Sequence, residues 1–225
     1  RPGSEPVHEF LVNRSTLGAT DTSLFVSSQL SSRWSVSVLG GGHWQERNDR
    51  NGDGWADLAG YTRGIARPRF FWDGGGGRTA FLTGGFTYED REGGTLPGSV
   101  LPATGAPYIE ALDTRRYDLG GSFQFLVRKR YVVTARASAS SAYHNHRFGE
   151  VRERDHHDLL FTELAIRGSA GRHTWVAGVA AERDAYRPRD VPRFEYTYTT
   201  PGVFLQDDIV IAPWFSLSAS ARADF

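Results

Sequence analysis

Apolar and polar residues alternate one for one through segment after segment of this chain, the period-2 pattern of a β-strand with two unlike faces. The clearest run sets Tyr117, Leu119, Phe123, Phe125 and Val127 against Arg116, Asp118, Ser122 and Gln124. A second sets Phe215, Leu217, Ala219, Ala221 and Ala223 against Ser216, Ser218, Ser220, Arg222 and Asp224. Between residues 78 and 90, Leu82, Phe86 and Tyr88 alternate with Thr79, Thr83, Thr87 and Glu89. Trp175, Ala177, Val179 and Ala181 do so with Thr174, Gly178 and Glu182, and Tyr131, Val133, Ala135, Ala137 and Tyr143 with Thr134, Arg136, Ser138 and Ser140.

Alternation alone also suits a soluble sandwich, so the connections carry the next step. Strands are expected at 7–16, 22–29, 34–46, 62–73, 78–91, 116–127, 131–147, 157–168, 173–185, 199–211 and 214–225. The links between them fall into a short kind (31–33, 74–77, 128–130, 171–172, 212–213) and a long polar kind (47–61, 92–115, 148–156, 186–198). From the third strand on the two kinds alternate, as the tight turns and long loops at opposite ends of an outer-membrane barrel do. Several strands exceed the five or six residues usual in globular sheets and reach the ~10 that a tilted strand needs to cross a bilayer. Aromatics stand near strand ends (Trp34, Trp44, Trp72, Tyr88, Tyr131, Tyr143, Trp175, Trp214, Phe215), where interfacial girdles belong. The expected fold is all-β: an antiparallel transmembrane β-barrel of about eleven strands in one domain, 1–225.

A mean hydropathy of −0.44 is compatible with this, because only alternate residues of a barrel strand face lipid. No run of ~18 apolar residues offers a transmembrane helix. The 26 basic and 26 acidic residues balance, so no nucleic-acid footprint is indicated. Cysteine is absent, which removes disulfides and thiolate chemistry. The chain opens Arg1-Pro2-Gly3-Ser4-Glu5-Pro6 without an apolar signal segment, as expected after removal of a leader or for a piece of a longer protein.

Four constellations could carry function. Asp49, Asn51, Asp53, Gly54 and Asp57 occupy positions 1, 3, 5, 6 and 9 of an EF-hand-like calcium loop, but Gly60 stands where the closing Glu belongs, so any calcium site is expected to be weak. The alternative is a solvated Asn-Gly/Asp-Gly turn. His144, His146, His156 and His157 flank one expected outer loop and could meet around a metal. Tyr108, Tyr186, Tyr196 and Tyr198, with Phe148 and Phe194, lie in or beside the long loops, where aromatic faces could stack on a small-molecule ligand. Arg136, Glu163, Glu182 and Arg222 fall on polar faces and are expected to line a lumen and pair there. No phosphate-binding glycine loop and no G-x-S-x-G element is present, and no activated nucleophile is forced by the sequence, so an enzyme is not expected.

The succession Gln45–Asp57, then Arg67-Pro68-Arg69-Phe70-Phe71-Trp72-Asp73, then Phe81–Thr95 resembles the early barrel of TonB-dependent outer-membrane receptors. The late pair Gly202–Asp208 and Trp214–Arg222 resembles a strand–turn–strand unit of that family's mid-barrel. The resemblance implies a bacterial outer-membrane location and lipid contact. It also implies active uptake of a scarce ligand, such as an iron–siderophore complex, coupled to TonB through a plug domain that this chain does not include. It implies, too, that the chain is part of a barrel of about 22 strands. Two other readings stay open: a complete small barrel acting as a pore or adhesin, suggested by the terminal Phe225, and a soluble all-β module binding calcium through 49–57.

Overall fold

The computed structural model describes residues 2–3 and 5–225. They form one antiparallel sheet in which the strands lie in chain order: β1 (Val7–Arg14), β2 (Ala19–Gln29), β3 (Trp34–Gln45), β4 (Gly60–Gly75), β5 (Arg78–Gly94), β6 (Ile109–Val127), β7 (Tyr131–Phe148), β8 (Val151–Ala170), β9 (His173–Pro188), β10 (Tyr196–Ala212) and β11 (Phe215–Asp224). One short 3-10 turn, Pro192–Phe194, interrupts the link before β10. The sheet is open: β1 pairs only with β2, and β11 only with β10.

Cross-strand partners in an antiparallel sheet share a face, so the registers sort the side chains into two sets. One rung runs Gly84 (β5), Leu119, Ala139, Leu160, Arg183 and Thr199 (β10), and parallel rungs collect Leu82, Phe86, Phe123, Leu164, Val179, Val203 and Leu205 on the same side. This apolar face is uncovered, with Leu119 58% and Leu164 52% exposed. The opposite face carries Asp21, Arg67, Arg116, Arg136, Glu163 and Glu182, along with a few aromatics such as Phe71, Phe81 and Phe204.

Among the described residues no second layer packs on either face. Among the described residues the buried apolar side chains are five alanines and Pro188, and the largest fully buried side chain is Ser35. A soluble β module buries one face of its sheet against another layer; here the apolar face has no protein to cover it.

Aromatic residues border the apolar face at both ends. At the short-turn end Trp34 packs on Trp72 (ring centroids 6.4 Å), Trp72 stacks on Phe123 (6.3 Å) and Tyr131 meets Trp175 (6.0 Å). At the other end stand Trp44, Tyr88 and Tyr143, the last stacked on His156 at 4.1 Å. From Trp34 to Trp44 along β3, a rise of roughly 3.4 Å per residue and a tilt of about 45° give a band roughly 24 Å tall. That is close to the ~25 Å apolar belt of membrane barrels.

One expected link is not a loop. Residues 148–156 read as long and polar, but β7 and β8 continue as a hairpin past the aromatic band and join through Gly149 and Glu150 alone. The rungs there pair Asn145 with Arg154 and Arg147 with Arg152, so strand continues with no apolar alternation to reveal it. Gly149 makes the turn at φ +63°, a conformation free of steric cost for glycine only. Strands β2, β6, β8 and β10 likewise start earlier than the alternation suggests, and the loops shrink to 46–59, 95–108 and 189–195.

Candidate ligand-facing wall

The long-loop end of β7–β10 brings histidines, aspartates and tyrosines together on the polar face. The rung Ala142–His157–Tyr186–Tyr196 crosses four strands. Tyr186 and Tyr196 lie with ring centroids 5.6 Å apart, Tyr196 and Tyr198 5.0 Å apart, and His157 meets the edge of Tyr186 at 5.7 Å. Three of the four tyrosines singled out in the sequence therefore form one patch. Tyr198, 64% exposed, offers its ring to whatever occupies the space in front of the sheet.

Tyr108 does not join them. It stacks on Trp55 (5.9 Å, 27°), and its backbone N–H donates to Thr95 Oγ1 at 3.0 Å. That contact belongs to a seam in which the 46–59 and 95–108 loops fold on each other: Ala56 N–H donates to the Gly94 carbonyl, and Leu96 N–H to that of Gly54. Tyr108 is thus a packing residue of the loops.

The four histidines split by parity, because 156 and 157 are neighbours on a strand and must point to opposite faces. His144, His146 and His157 lie on the polar face. His156 lies on the apolar face, where its Nε2 is 2.8 Å from both Ser141 Oγ and Asp158 Oδ1. They cannot meet around one metal. Two of the polar-face histidines are each tied to an aspartate: His144 Nδ1 to Asp155 Oδ1 at 2.8 Å, and His157 Nε2 to Asp184 Oδ1 at 2.7 Å. A carboxylate only accepts, so in each pair the imidazole nitrogen donates. Sequence reading missed both aspartates. Counting rungs from the 149–150 turn sets His144 opposite Asp155, and counting from the 171–172 turn sets Asp184 diagonal to His157.

The acidic loop uses its own oxygens. Asp49 accepts N–H groups from Gly52 (2.7 Å), Asn51 (3.2 Å) and Gly54 (2.7 Å), and the Gly54 bond above all holds its carboxyl below the usual carboxylate range. Asp53 accepts from Trp55 N–H (2.8 Å), Asn51 Oδ1 from Asp53 N–H (3.0 Å), and Asp57 from Arg50 N–H (2.8 Å). These are the self-satisfied turns Asn and Asp make in loops. A calcium ion would have to draw Asp49, Asn51, Asp53 and Asp57 out of those bonds.

Of the four charged residues expected to line a lumen, all lie on the polar face. Arg136 Nη1 pairs with Glu163 Oε1 at 3.0 Å, whereas Arg222 pairs along its own strand with Asp224.

The chain is an open, two-faced antiparallel meander of eleven strands with aromatic borders and an uncovered apolar face. Comparison of the sequence with protein-family models and with curated proteins finds no match. Among solved structures the chain is similar to the ferric yersiniabactin uptake receptor FyuA from Yersinia pestis, with a TM-score of 0.74 and 12% identity over 99% of this chain and 39% of that one. It is also similar to the siderophore receptor PiuA from Acinetobacter baumannii (0.68, 10% identity, 99% and 46%) and to the ferric citrate transporter FecA (0.59, 13% identity, 91% and 35%). At these identities the likeness is one of fold. The chain spans less than half the length of each of these proteins.

Proposed function

We propose that this chain is part of the barrel of a bacterial outer-membrane receptor that takes up a chelated metal, such as an iron–siderophore complex, in a TonB-coupled cycle. The observation that carries the reading is the apolar face: a belt of bilayer height, bordered by aromatics, with no protein layer against it. Lipid is the medium that such a face requires. The three solved structures of like fold named above are receptors and transporters whose names give a siderophore, ferric yersiniabactin or ferric citrate, which supports the same class of cargo here.

The polar face then lines the lumen. Phe71 and Phe81, 5.2 Å apart on that face near the short-turn end, suit a lumen filled by a folded domain better than one filled with water. Toward the outer mouth, Tyr186, Tyr196, Tyr198 and the Asp-oriented His157 offer flat aromatic faces to an arriving chelate.

The test is binding of ferric complexes of catecholate, hydroxamate and citrate type to the gene product in detergent, followed by quenching of intrinsic fluorescence. One complex should quench saturably, and the Tyr186→Ala/Tyr196→Ala double variant should weaken it by about tenfold or more, the scale of losing one or two stacked aromatics. Equal binding by wild type and variant removes the tyrosine wall from the reading. Absence of the protein from the outer-membrane fraction removes the reading altogether.

A further inference from the structure

The apolar face contains one charged side chain whose position the barrel reading leaves unexplained. Arg183 of β9 shares a rung with Leu119, Ala139 and Leu160, and is exposed, with no carboxylate among the described residues at ion-pairing distance. It lies four residues below Arg187, whose rung holds Tyr143 and His156 of the aromatic border. Eight residues above Trp175, at about 3.4 Å per residue and a tilt of about 45°, its Cα sits roughly 19 Å up the belt. Its long stem can therefore carry the guanidinium to the outer interface.

A groove of about 430 Å³ opens beside it. Tyr117, Leu119 and Leu160 form the apolar walls, Ala139 and the 2%-exposed Ala185 give a floor without bulk, and Arg183 and Arg187 stand along one side. The other charged groups on this side are Asp158, bound by Arg187 Nη1 at 2.7 Å and by His156 Nε2 at 2.8 Å, and, higher up, the Arg115–Asp113 pair at 3.8 Å with Asp90 opposite Asp113. Among the charged side chains that line the groove on this face, Arg187 and Asp158 cancel and Arg183 is left over, so the groove is apolar along its length and cationic at its upper end. A hydrocarbon chain below a phosphate has the complementary shape and charge.

Resting on the membrane-barrel reading, we propose that this groove holds one anionic membrane lipid, with an acyl chain against Leu119 and Leu160 and its phosphate on Arg183 and Arg187. The experiment uses the full chain in micelles carrying spin-labelled lipids and counts the motionally restricted fraction by electron paramagnetic resonance. Wild type should restrict spin-labelled phosphatidylglycerol in preference to phosphatidylcholine. Arg183→Gln/Arg187→Gln should cut that preference by roughly fivefold or more, as expected for a cation at a lipid phosphate, while the total restricted lipid stays constant. Arg67→Gln, on the polar face, should leave both quantities unchanged. A restricted lipid shell without anionic preference in wild type overturns the groove proposal and leaves the barrel reading standing. No restricted shell at all overturns the barrel reading and the proposal with it. Loss of the preference on adding inorganic phosphate at matched ionic strength would make this a phosphate site and overturn the lipid assignment.

Discussion

Asp190 shows how one residue secures the outer end of the sheet. It lies in the 189–195 link, and its carboxylate takes Arg154 in a fork: Nη2 to Oδ1 at 2.6 Å, Nε to Oδ2 at 2.9 Å, with the Arg154 backbone N–H adding a third bond at 2.8 Å. The Arg154 side chain chiefly accounts for a carboxyl held down to about 2. An unrestrained Asp titrates near 3.9. A group whose folded pKa is depressed contributes fully above its unfolded value and loses that contribution as pH falls through the folded one. The tether should therefore hold above about pH 4 and release as pH falls toward about 2. Pepsin cleavage near the exposed Phe194 checks this: between those pH values the cleavage rate of wild type should climb to meet that of Asp190→Asn, whose loop is loose throughout. A wild-type to variant ratio that stays flat over that range would contradict the tether.

At the scale of the element, parity decides which environment a side chain meets, and adjacent residues make the sharpest test. Leu164 and Ala165 are neighbours on β8, the first on the apolar face and the second on the polar face. In lipid, Leu164→Arg should cost about 2–4 kcal/mol and Ala165→Arg far less, since the polar face already carries charges. Urea unfolding in bilayers measures both, and equal costs would refute the face assignment. Parity is also what made the strands legible. Tyr117 to Val127 and Trp175 to Ala181 show their two faces in sequence because one face is continuously apolar across the belt. Beyond the belt both faces meet water, so 109–115 and 149–156 carry charges on either side and hide strand inside what looks like loop. The tyrosine patch was partly legible for the same reason. Tyr186, Tyr196 and Tyr198 stand out as loop-side aromatics, but the partnership of His157 with Asp184 depends on register, which periodicity does not state. Tyr108 misled because an aromatic that packs one loop on another has the same composition signal as one that faces a ligand.

At the scale of the whole molecule, the two unpaired borders matter most. β1 and β11 each leave a row of backbone N–H and C=O groups without strand partners, and such edges are costly in hydrocarbon. The 225-residue chain refolded alone into micelles should therefore elute as assemblies larger than a monomer, because edge-to-edge pairing is the readiest source of partners. A monodisperse species with heat-modifiable gel migration would instead mean that β1 and β11 close on one another. The strict neighbour order of the strands also has a kinetic consequence. Every pairing joins strands adjacent in sequence, so closing one hairpin sets the loop-closure entropy for the next, and no strand waits for a distant partner. Relative contact order stays low for a sheet of this width, and assembly can proceed like a zipper. At each step the nascent sheet offers a single growing edge as the next hairpin arrives.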